Sequence, residues 1–230
     1  GFDLDLTNHE SASLFNDPVK GTVMHGNTAL NAPGQKDMFD KIIGGTNGTH
    51  DFTYEMVLRS NVTGSIDAGK NPDIVFSKGT SSATLRYGNT TIGFYFLKKG
   101  TQDWKDTLYK TSFNTSEHGT EFVTVTGTYT SANGGTLCSY FNGQLLCKME
   151  QVGAVTPSSL DLWIGKDPNK TERTGSGDYS SARIFGDALT AEEVKLSDAD
   201  KLKLDNIVTW YDFNDATVKT VVDVTELNTA

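Results

Sequence analysis

The sequence predicts an all-β domain: a two-sheet antiparallel jelly-roll sandwich with one short helix near the C-terminus. Three observations predict it. Apolar and polar residues alternate in many short runs, turn signals separate these runs, and Thr and Ser are abundant while long Leu/Ala/Glu/Lys stretches are missing. Roughly fourteen short strands and one helix favour a single sandwich over two domains. We therefore expect one domain over residues 1–230.

The alternation is clearest in residues 52–59, where Phe, Tyr, Met and Leu take every second position and mostly polar residues the others. Ile92, Phe94 and Phe96 repeat the pattern, which is typical of half-buried strands. Turn dipeptides lie between the runs: Gly44-Gly45, Asn47-Gly48, Gly88-Asn89, Asn133-Gly134, Asn142-Gly143 and Asp167-Pro168.

The helix is predicted from a capping signal. Thr190 stands three residues before Glu193, the spacing at which the two side chains cap each other's backbone N–H groups. Residues 195–204 either extend this helix or form a second turn.

The segment between Cys138 and Cys147 predicts a hairpin. Asn142-Gly143 is the strongest short signal for a type I′ turn. With that turn, Cys138 faces Cys147 in a non-hydrogen-bonded pair, with Cα atoms about 4.5 Å apart. This separation allows a disulfide, worth about 2 kcal/mol for so short a loop. The alternative is two reduced cysteines that merely lie opposite each other.

Net charge, apolar content and sequons limit the classes of partner and the cellular location that we expect. The net charge of −9 argues against nucleic acid and anionic lipid, and no apolar run approaches the roughly 20 residues that a membrane helix needs. A disulfide and N-glycosylation sequons would both indicate an extracellular or cell-surface protein. Five sequons fall in predicted loops, although Asn favours turns in any case: Asn47, Asn61, Asn89, Asn114 and Asn169.

Several segments, in order, carry a family resemblance. They are residues 51–59 (DFTYEMVLR), 122–129 (FVTVTGTY), 135–146 (GTLCSYFNGQLL), 162–168 (LWIGKDP), 181–194 (SARIFGDALTAEEV) and 206–210 (NIVTW). Together they resemble the laminin G-like and pentraxin branches of the concanavalin A-like superfamily. The resemblance implies a jelly-roll sandwich that binds a ligand or partner outside the cell.

The chain departs from the pentraxin pattern in two ways. Pentraxins join two core strands by a disulfide, and the corresponding strands here have no cysteine. The loops that correspond to the pentraxin calcium site, 77–82 and 165–168, keep only one carboxylate, Asp167. Calcium needs six to eight oxygen ligands, so we expect no cofactor at that site. Calcium binding elsewhere stays open, with unknown ligands, because other aspartates lie in or near loops: Asp67, Asp73, Asp103, Asp106 and Asp178.

The sequence also predicts that the domain is not an enzyme. The β-glucanases of this superfamily use two carboxylates on one strand, in a Glu-x-Asp-x-Glu or Glu-x-Asp-x-x-Glu pattern, and that pattern is missing. The four histidines have no metal-binding spacing, and no Gly-x-Ser-x-Gly or phosphate-binding motif occurs.

The first functional hypothesis is a lectin-like module that binds a glycan or glycoprotein. Sugar rings stack on aromatic side chains, and Trp104 lies in a polar, charged segment rather than on an apolar face. Arg86, Tyr87 and Tyr109 are the other candidate ligand residues. The alternative role of Trp104 is a loop anchor that covers the edge of the core.

The second hypothesis is a protein–protein adhesion or assembly module, for which the sequence indicates no patch. A variant of the first is sialic acid recognition, which needs arginine for the carboxylate. The available arginines are Arg59, Arg86, Arg173 and Arg183, and Arg183 matches a family position that is often structural.

Overall fold

The alternating segments form β-strands in the computed structural model. The structure describes residues 4–5, 13–17, 21–26, 30–32, 47–60, 74–77, 79, 82–88, 91–107, 109–110, 121–167, 170–174, 177–213 and 220–221. The first ten strands are β1 (Leu4–Asp5), β2 (Ser13–Asp17), β3 (Gly21–Gly26), β4 (Leu30–Ala32), β5 (Phe52–Ser60), β6 (Ile74–Ser77), β7 (Thr84–Tyr87), β8 (Thr91–Leu97), β9 (Trp104–Asp106) and β10 (Tyr109–Lys110). The others are β11 (Val123–Thr130), β12 (Thr136–Phe141), β13 (Gln144–Glu150), β14 (Leu162–Ile164), β15 (Lys166–Asp167), β16 (Lys170–Thr174), β17 (Gly177–Phe185), β18 (Ile207–Asp212) and β19 (Thr220–Val221).

Two large antiparallel sheets make up the layers of the sandwich. Among the described strands, the eight-stranded sheet has the order β13-β12-β11-β5-β17-β3-β2, with β18 also paired to β17. The seven-stranded sheet has the order β10-β8-β7-β6-β14-β4, with β9 also paired to β8. Two short pairs, β1 with β19 and β15 with β16, complete the described strands. The predicted two-sheet sandwich is confirmed.

The core lies between the inner faces of the two sheets. The alternating residues Phe52, Tyr54, Met56 and Leu58 of β5 are fully buried there, as the sequence predicts. From the opposite sheet, Phe94 of β8 packs with its ring centroid 5.9 Å from Phe52 and 5.6 Å from Tyr54. Burial of these rings is the main apolar stabilisation of the sandwich.

The predicted capping box is present, but it begins a single turn. Thr190 N donates to Glu193 Oε2 (2.8 Å) and Glu193 N donates to Thr190 Oγ1 (3.2 Å). A 3₁₀ turn, Glu193–Lys195, follows, and helix α1 is the separate four-residue segment Asp198–Lys201, capped by Ser197. The second of the two predicted alternatives is therefore correct. No helix in the described residues has the length and apolar character to span a membrane.

The cysteine hairpin has the predicted turn but not the predicted register. Asn142 and Gly143 both have positive φ, at 47° and 76°, as a type I′ turn requires. Phe141 pairs with Gln144 and Tyr140 with Leu145, as expected. The register then shifts at a β-bulge.

The bulge separates the two cysteines. Beyond it, Cys147 pairs with Ser139, and Cys138 pairs with Lys148. Because neighbouring residues of a strand face opposite sides of a sheet, the two thiols lie on opposite faces and are free. The predicted register, in which Cys138 stands opposite Cys147, is therefore wrong.

The bulge has a packing reason. Without it, Lys148 would stand opposite Leu137, which is fully buried in the core. With the bulge, Met149 takes that position and packs on the core, while Lys148 faces outward.

Thiol labelling of the folded, unreduced protein checks this register. We expect two alkylated cysteines, with Cys147 labelled before Cys138. Cys138 is 9% exposed, and burial raises the pKa of its thiol, so little reactive thiolate is present. Intact mass after alkylation for increasing times measures both results. A protein that accepts no label until it is reduced would contradict the observed register.

Candidate functional site

Trp104 lies on the solvent side of the seven-stranded sheet. Ile92, Phe94 and Phe96 of β8 face the core, so Tyr95 and Leu97 face outward by the strand's alternation. Trp104 of β9 is directly opposite Leu97 and shares its face. Its side chain is 44% exposed, and its ring centroid is 6.1 Å from that of Tyr95.

This environment separates the two roles expected for Trp104. A loop anchor over the core would be buried, whereas Trp104 belongs to a strand at the sheet edge and nearly half of it is accessible. Tyr95 is only 6% exposed and supports one side of the indole ring. The exposed aromatic surface is therefore held in place, which is the arrangement that stacking on a sugar requires.

Arg86 lies on the same face, one strand further in. It pairs with Gly93 of β8, which is two residues from Tyr95 along the strand. The side chain of Arg86 is partly buried. Because diagonal neighbours on adjacent strands lie about 7–8 Å apart, Arg86, Tyr95 and Trp104 form a diagonal row across β7, β8 and β9. We call these three residues the Trp104 surface.

Tyr87 does not belong to this surface. It follows Arg86 on β7 and therefore faces the core, where it is 1% exposed. Burial raises the pKa of its hydroxyl to about 12. Tyr87 was expected beside Arg86 as a ligand residue, but the alternation that places Arg86 outside places Tyr87 inside. Tyr109 pairs with Ile92 through its backbone in β10, and its side chain lies outside the described part of the structure.

The outer face of the eight-stranded sheet is closed by a buried charge network. Glu55 of β5 is fully buried; its Oε1 accepts from Arg183 Nη1 (2.7 Å) and its Oε2 from Lys201 Nζ (2.7 Å). Thr126 Oγ1 donates to the same Oε2 at 2.8 Å. Arg183 Nη2 also contacts Asp198 Oδ1 at 2.7 Å, so α1 is tied to the sheet.

This network also removes one of the arginines considered for carboxylate recognition. Arg183 is fully buried, and its guanidinium lies 3.9 Å from the ring centroid of Trp210. The family position it matches is structural here. The sequence contained no signal for the network, since Glu55 occupies an ordinary outward position of its strand.

A second arginine is also engaged. Arg59 Nε donates to Asp178 Oδ2 (2.9 Å), and its guanidinium stacks 4.7 Å from the ring centroid of Phe122. Asp178 is 2% exposed in β17, which makes it a buried ion-pair partner rather than the loop residue that the sequence indicated. Arg173 belongs to β16, and its side chain is outside the description.

The candidate calcium ligands are dispersed. Asp103 pairs with Lys105 (2.6 Å), and Asp106 lies in β9 opposite Tyr95. Asp67 and Asp73 lie outside the described residues, as does the side chain of Asp167. Where side chains are described, no three His, Cys, Asp or Glu residues come together as a metal site would require.

One polar pocket is found away from the Trp104 surface, on the side of the eight-stranded sheet. It has a volume of about 280 Å³ and lies between the Asn142-Gly143 turn and residues 194–201. Lys201 and Asp198, which belong to the charge network, contribute to its wall.

Two packed antiparallel sheets, one of which presents Trp104 on its outer face, define a jelly-roll β-sandwich. The chain belongs to the Laminin G 3 family, described as part of the concanavalin A-like lectin/glucanases superfamily, whose model matches residues 26–195. The resemblance seen in the sequence motifs is confirmed. No curated protein sequence matches the chain.

Solved structures with the same fold are distant in sequence. The receptor-binding domain of botulinum neurotoxin type G aligns with a TM-score of 0.56 and 15% identity over 84% of this chain and 49% of its own. The binding domain of serotype D aligns with a TM-score of 0.52 and 14% identity, over 84% and 50%. A candidate carbohydrate-binding protein from Bacteroides ovatus aligns with a TM-score of 0.50 and 16% identity, over 91% and 50%. The chain thus spans about half the length of these proteins, and the likeness shows the fold.

Proposed function

We propose that the domain is a non-catalytic carbohydrate-binding module that holds a glycan against the Trp104 surface. The observation that carries this proposal is the accessible indole ring of Trp104, which is 44% exposed and packs against Tyr95 of the neighbouring strand β8. An exposed aromatic ring held in place on a strand offers a flat apolar surface with one face accessible to a ligand. An apolar sugar face matches it, and Arg86 on the same face donates hydrogen bonds to sugar oxygens.

The closure of the other sheet supports this placement. Leu189 and Val194 pack on Phe185 of the eight-stranded sheet, and Lys201 reaches Glu55 beneath them. The outer face of the seven-stranded sheet is therefore the open sheet face on which we place the ligand. The Bacteroides ovatus neighbour, a candidate carbohydrate-binding protein, is consistent with a glycan ligand.

Acrylamide quenching of tryptophan fluorescence tests the proposal without a mutation. Trp104 is the most accessible of the three tryptophans, since Trp210 is 3% exposed and Trp163 is partly buried. A saturating polysaccharide is expected to lower the quenching constant because the sugar shields the indole ring. Titration against a panel of polysaccharides identifies which of them protects. Binding that leaves quenching unchanged would place the glycan elsewhere.

Protein–protein adhesion is the second candidate function, and exposed leucines favour it. Leu145 is 53% exposed at the edge strand β13, and Leu202 is 43% exposed after α1. Both lie on the eight-stranded side, so a protein partner and a glycan would use different surfaces. A pull-down with Leu145→Asp as the comparison distinguishes this function from glycan binding.

We also propose that the domain works outside the cell or on its surface, as one unit of residues 1–230. Asn47 is exposed in its sequon, so a glycan could be attached there. The other sequons, Asn61, Asn89, Asn114 and Asn169, lie outside the described residues. The pairing of β1 with β19 supports a single unit, because it joins residues 4–5 to residues 220–221.

A further inference from the structure

Strand β9 places a carboxylate beside Trp104. Trp104 and Asp106 are two residues apart on this strand, so both side chains point to its outer face. At the usual rise of a strand, their Cα atoms are about 7 Å apart. Asp106 is partly buried and stands directly opposite Tyr95, the residue whose ring packs against Trp104. A ligand that stacks on the indole ring therefore lies within reach of this carboxylate.

Arg86 is further from Trp104 than Asp106 is. Tyr95 is the diagonal neighbour of both Trp104 and Arg86, in opposite directions along β8. Two diagonal steps of about 7–8 Å each therefore separate Trp104 from Arg86, a total of about 15 Å between Cα atoms. This is about twice the distance from Trp104 to Asp106. The charged group nearest to a sugar ring on Trp104 is therefore a hydrogen-bond acceptor.

The lysines of the neighbouring segment do not offset this carboxylate on the outer face. Lys98, which follows β8, and Lys105 of β9 both lie on the core side by the alternation of their strands. Lys98 packs against Gly153, and Lys105 pairs with Asp103 at 2.6 Å. Lys99 belongs to the turn after β8 and has no place in the pairing of β8 with β9. Among the described side chains, the outer face of β9 therefore carries a negative charge.

A turn limits the outer face on the side away from β9. Ser77 of β6 and Thr84 of β7 face outward by alternation, yet both are fully buried. Gly79 covers them, because its N donates to Ser77 Oγ (2.9 Å) and its O accepts from Thr84 Oγ1 (3.3 Å). Thr84 stands opposite Tyr95, so the accessible part of this row ends at β8. A ligand therefore has the edge of the sheet available, where β9 lies.

We propose that Asp106 determines specificity and that the sugar ring on Trp104 is neutral, with hydroxyl groups that donate hydrogen bonds to this carboxylate. A carboxylate has about four acceptor positions, so Asp106 can bind hydroxyl groups beside its own contacts in the fold. Hydrogen bonds to a charged group are among the stronger ones in proteins. A sugar with a carboxylate or sulfate at the same place would instead meet a like charge. This inference rests on the proposed glycan-binding function and adds the chemical class of the ligand.

Matched neutral and anionic polysaccharides test the class of ligand. Soluble β-glucan, galactomannan and galactan are neutral, and oxidation of their primary hydroxyl groups to carboxylates gives the anionic form of each. In calorimetric titrations of the unaltered domain, we expect a neutral form that binds to do so roughly tenfold more tightly than its oxidised form. The titrations are run at about 10 mM salt, where the Debye length is about 30 Å and repulsion is little screened.

Asp106→Asn separates recognition from structure, because it should act differently on the two forms. Binding of the neutral form should weaken by roughly tenfold, since a neutral amide oxygen is a weaker acceptor than a carboxylate. Binding of the oxidised form should stay the same or strengthen, because the like charge is removed. The control is Asp103→Asn, which removes the same charge from the residue before β9, where the carboxylate pairs with Lys105. The control should leave both affinities unchanged.

The ratio of the two affinities does not depend on the folded fraction, so it decides the result even if Asp106→Asn lowers the melting temperature. An equal ratio in the unaltered domain and in Asp106→Asn would overturn the role of Asp106. An oxidised form that binds more tightly than the neutral one, with Trp104 protected from quenching, would overturn the neutral ligand and keep glycan binding. If neither form of any of these polysaccharides binds, the proposed function fails as well.

Discussion

Glu55→Gln is expected to lower the free energy of unfolding by about 3–5 kcal/mol, the usual cost of breaking a buried ion pair by removing one partner. The Glu55 carboxylate is fully buried, and Arg183 and Lys201 both lie 2.7 Å from its oxygens. Glutamine keeps the shape but supplies no charge. In the variant, Arg183 still has Asp198 as an ion-pair partner. Lys201, which is 2% exposed, is left with no carboxylate partner among the described residues.

The surface ion pair between Lys148 and Glu150 is the matched control. Its nitrogen–oxygen distance is 2.6 Å, but both side chains are about half exposed or more. Glu150→Gln should therefore change stability far less than Glu55→Gln, because exposed ion pairs contribute little to stability. Urea unfolding of both variants, followed by tryptophan fluorescence, measures the difference. If both variants lose the same small amount, the network around Glu55 does not hold the structure together.

The Glu55–Arg183–Lys201 network also keeps the outer face of the eight-stranded sheet covered. Thr53 Oγ1 donates to Asp187 O and accepts from Leu189 N, both at 2.9 Å. These bonds anchor the segment 187–189 to β5, two residues from Glu55. From there the chain continues to α1, where Lys201 returns to Glu55. Loss of the network should expose the outer face of the eight-stranded sheet without altering the Trp104 surface on the other sheet. We therefore expect the stability of the domain and the proposed glycan binding to be separable.

Much of the fold could be predicted from the sequence because burial of one sheet face imposes a period of two. The alternation in β5 and β8 identified core residues such as Met56 and Phe96 correctly. Local chemistry was also predictable where it lies within a few residues: the Asn142-Gly143 turn and the Thr190–Glu193 capping box are both present.

What could not be predicted depends on contacts between distant segments. The bulge in β13 exists because Met149 rather than Lys148 packs opposite Leu137, and that choice requires the tertiary core. Glu55 and Lys201 are 146 residues apart in the chain, so no local pattern pairs them.

The candidate site was predicted in part, for the same reason. Trp104 stood out by its polar neighbours, whereas its support by Tyr95 follows from the pairing of β8 with β9. Arg86 and Tyr87 were proposed together, although adjacent residues of a strand cannot share a face. The register of β7 places Arg86 on the outer face of the sheet and Tyr87 in the core.

Trp104→Ala is expected to weaken glycan binding by roughly five- to thirtyfold and to leave the fold nearly as stable as before. A stacked sugar that buries about 40–80 Å² of apolar surface is worth about 1–2 kcal/mol at about 25 cal/mol per Å², which corresponds to that range of affinity. Since nearly half of the side chain is already exposed, its loss should cost about 1 kcal/mol or less of stability.

The opposite combination would identify Trp104 as a structural residue. A fully buried aromatic loses about 3 kcal/mol or more on truncation, and affinity would then fall only because less protein is folded. Melting curves and calorimetric titrations of the same variant, corrected for the folded fraction, separate these results. Leu145→Ala is the control, because it removes a side chain that is 53% exposed on the other sheet. Its affinity should equal that of the unaltered domain; an equal loss in both variants would show that binding does not depend on the Trp104 surface.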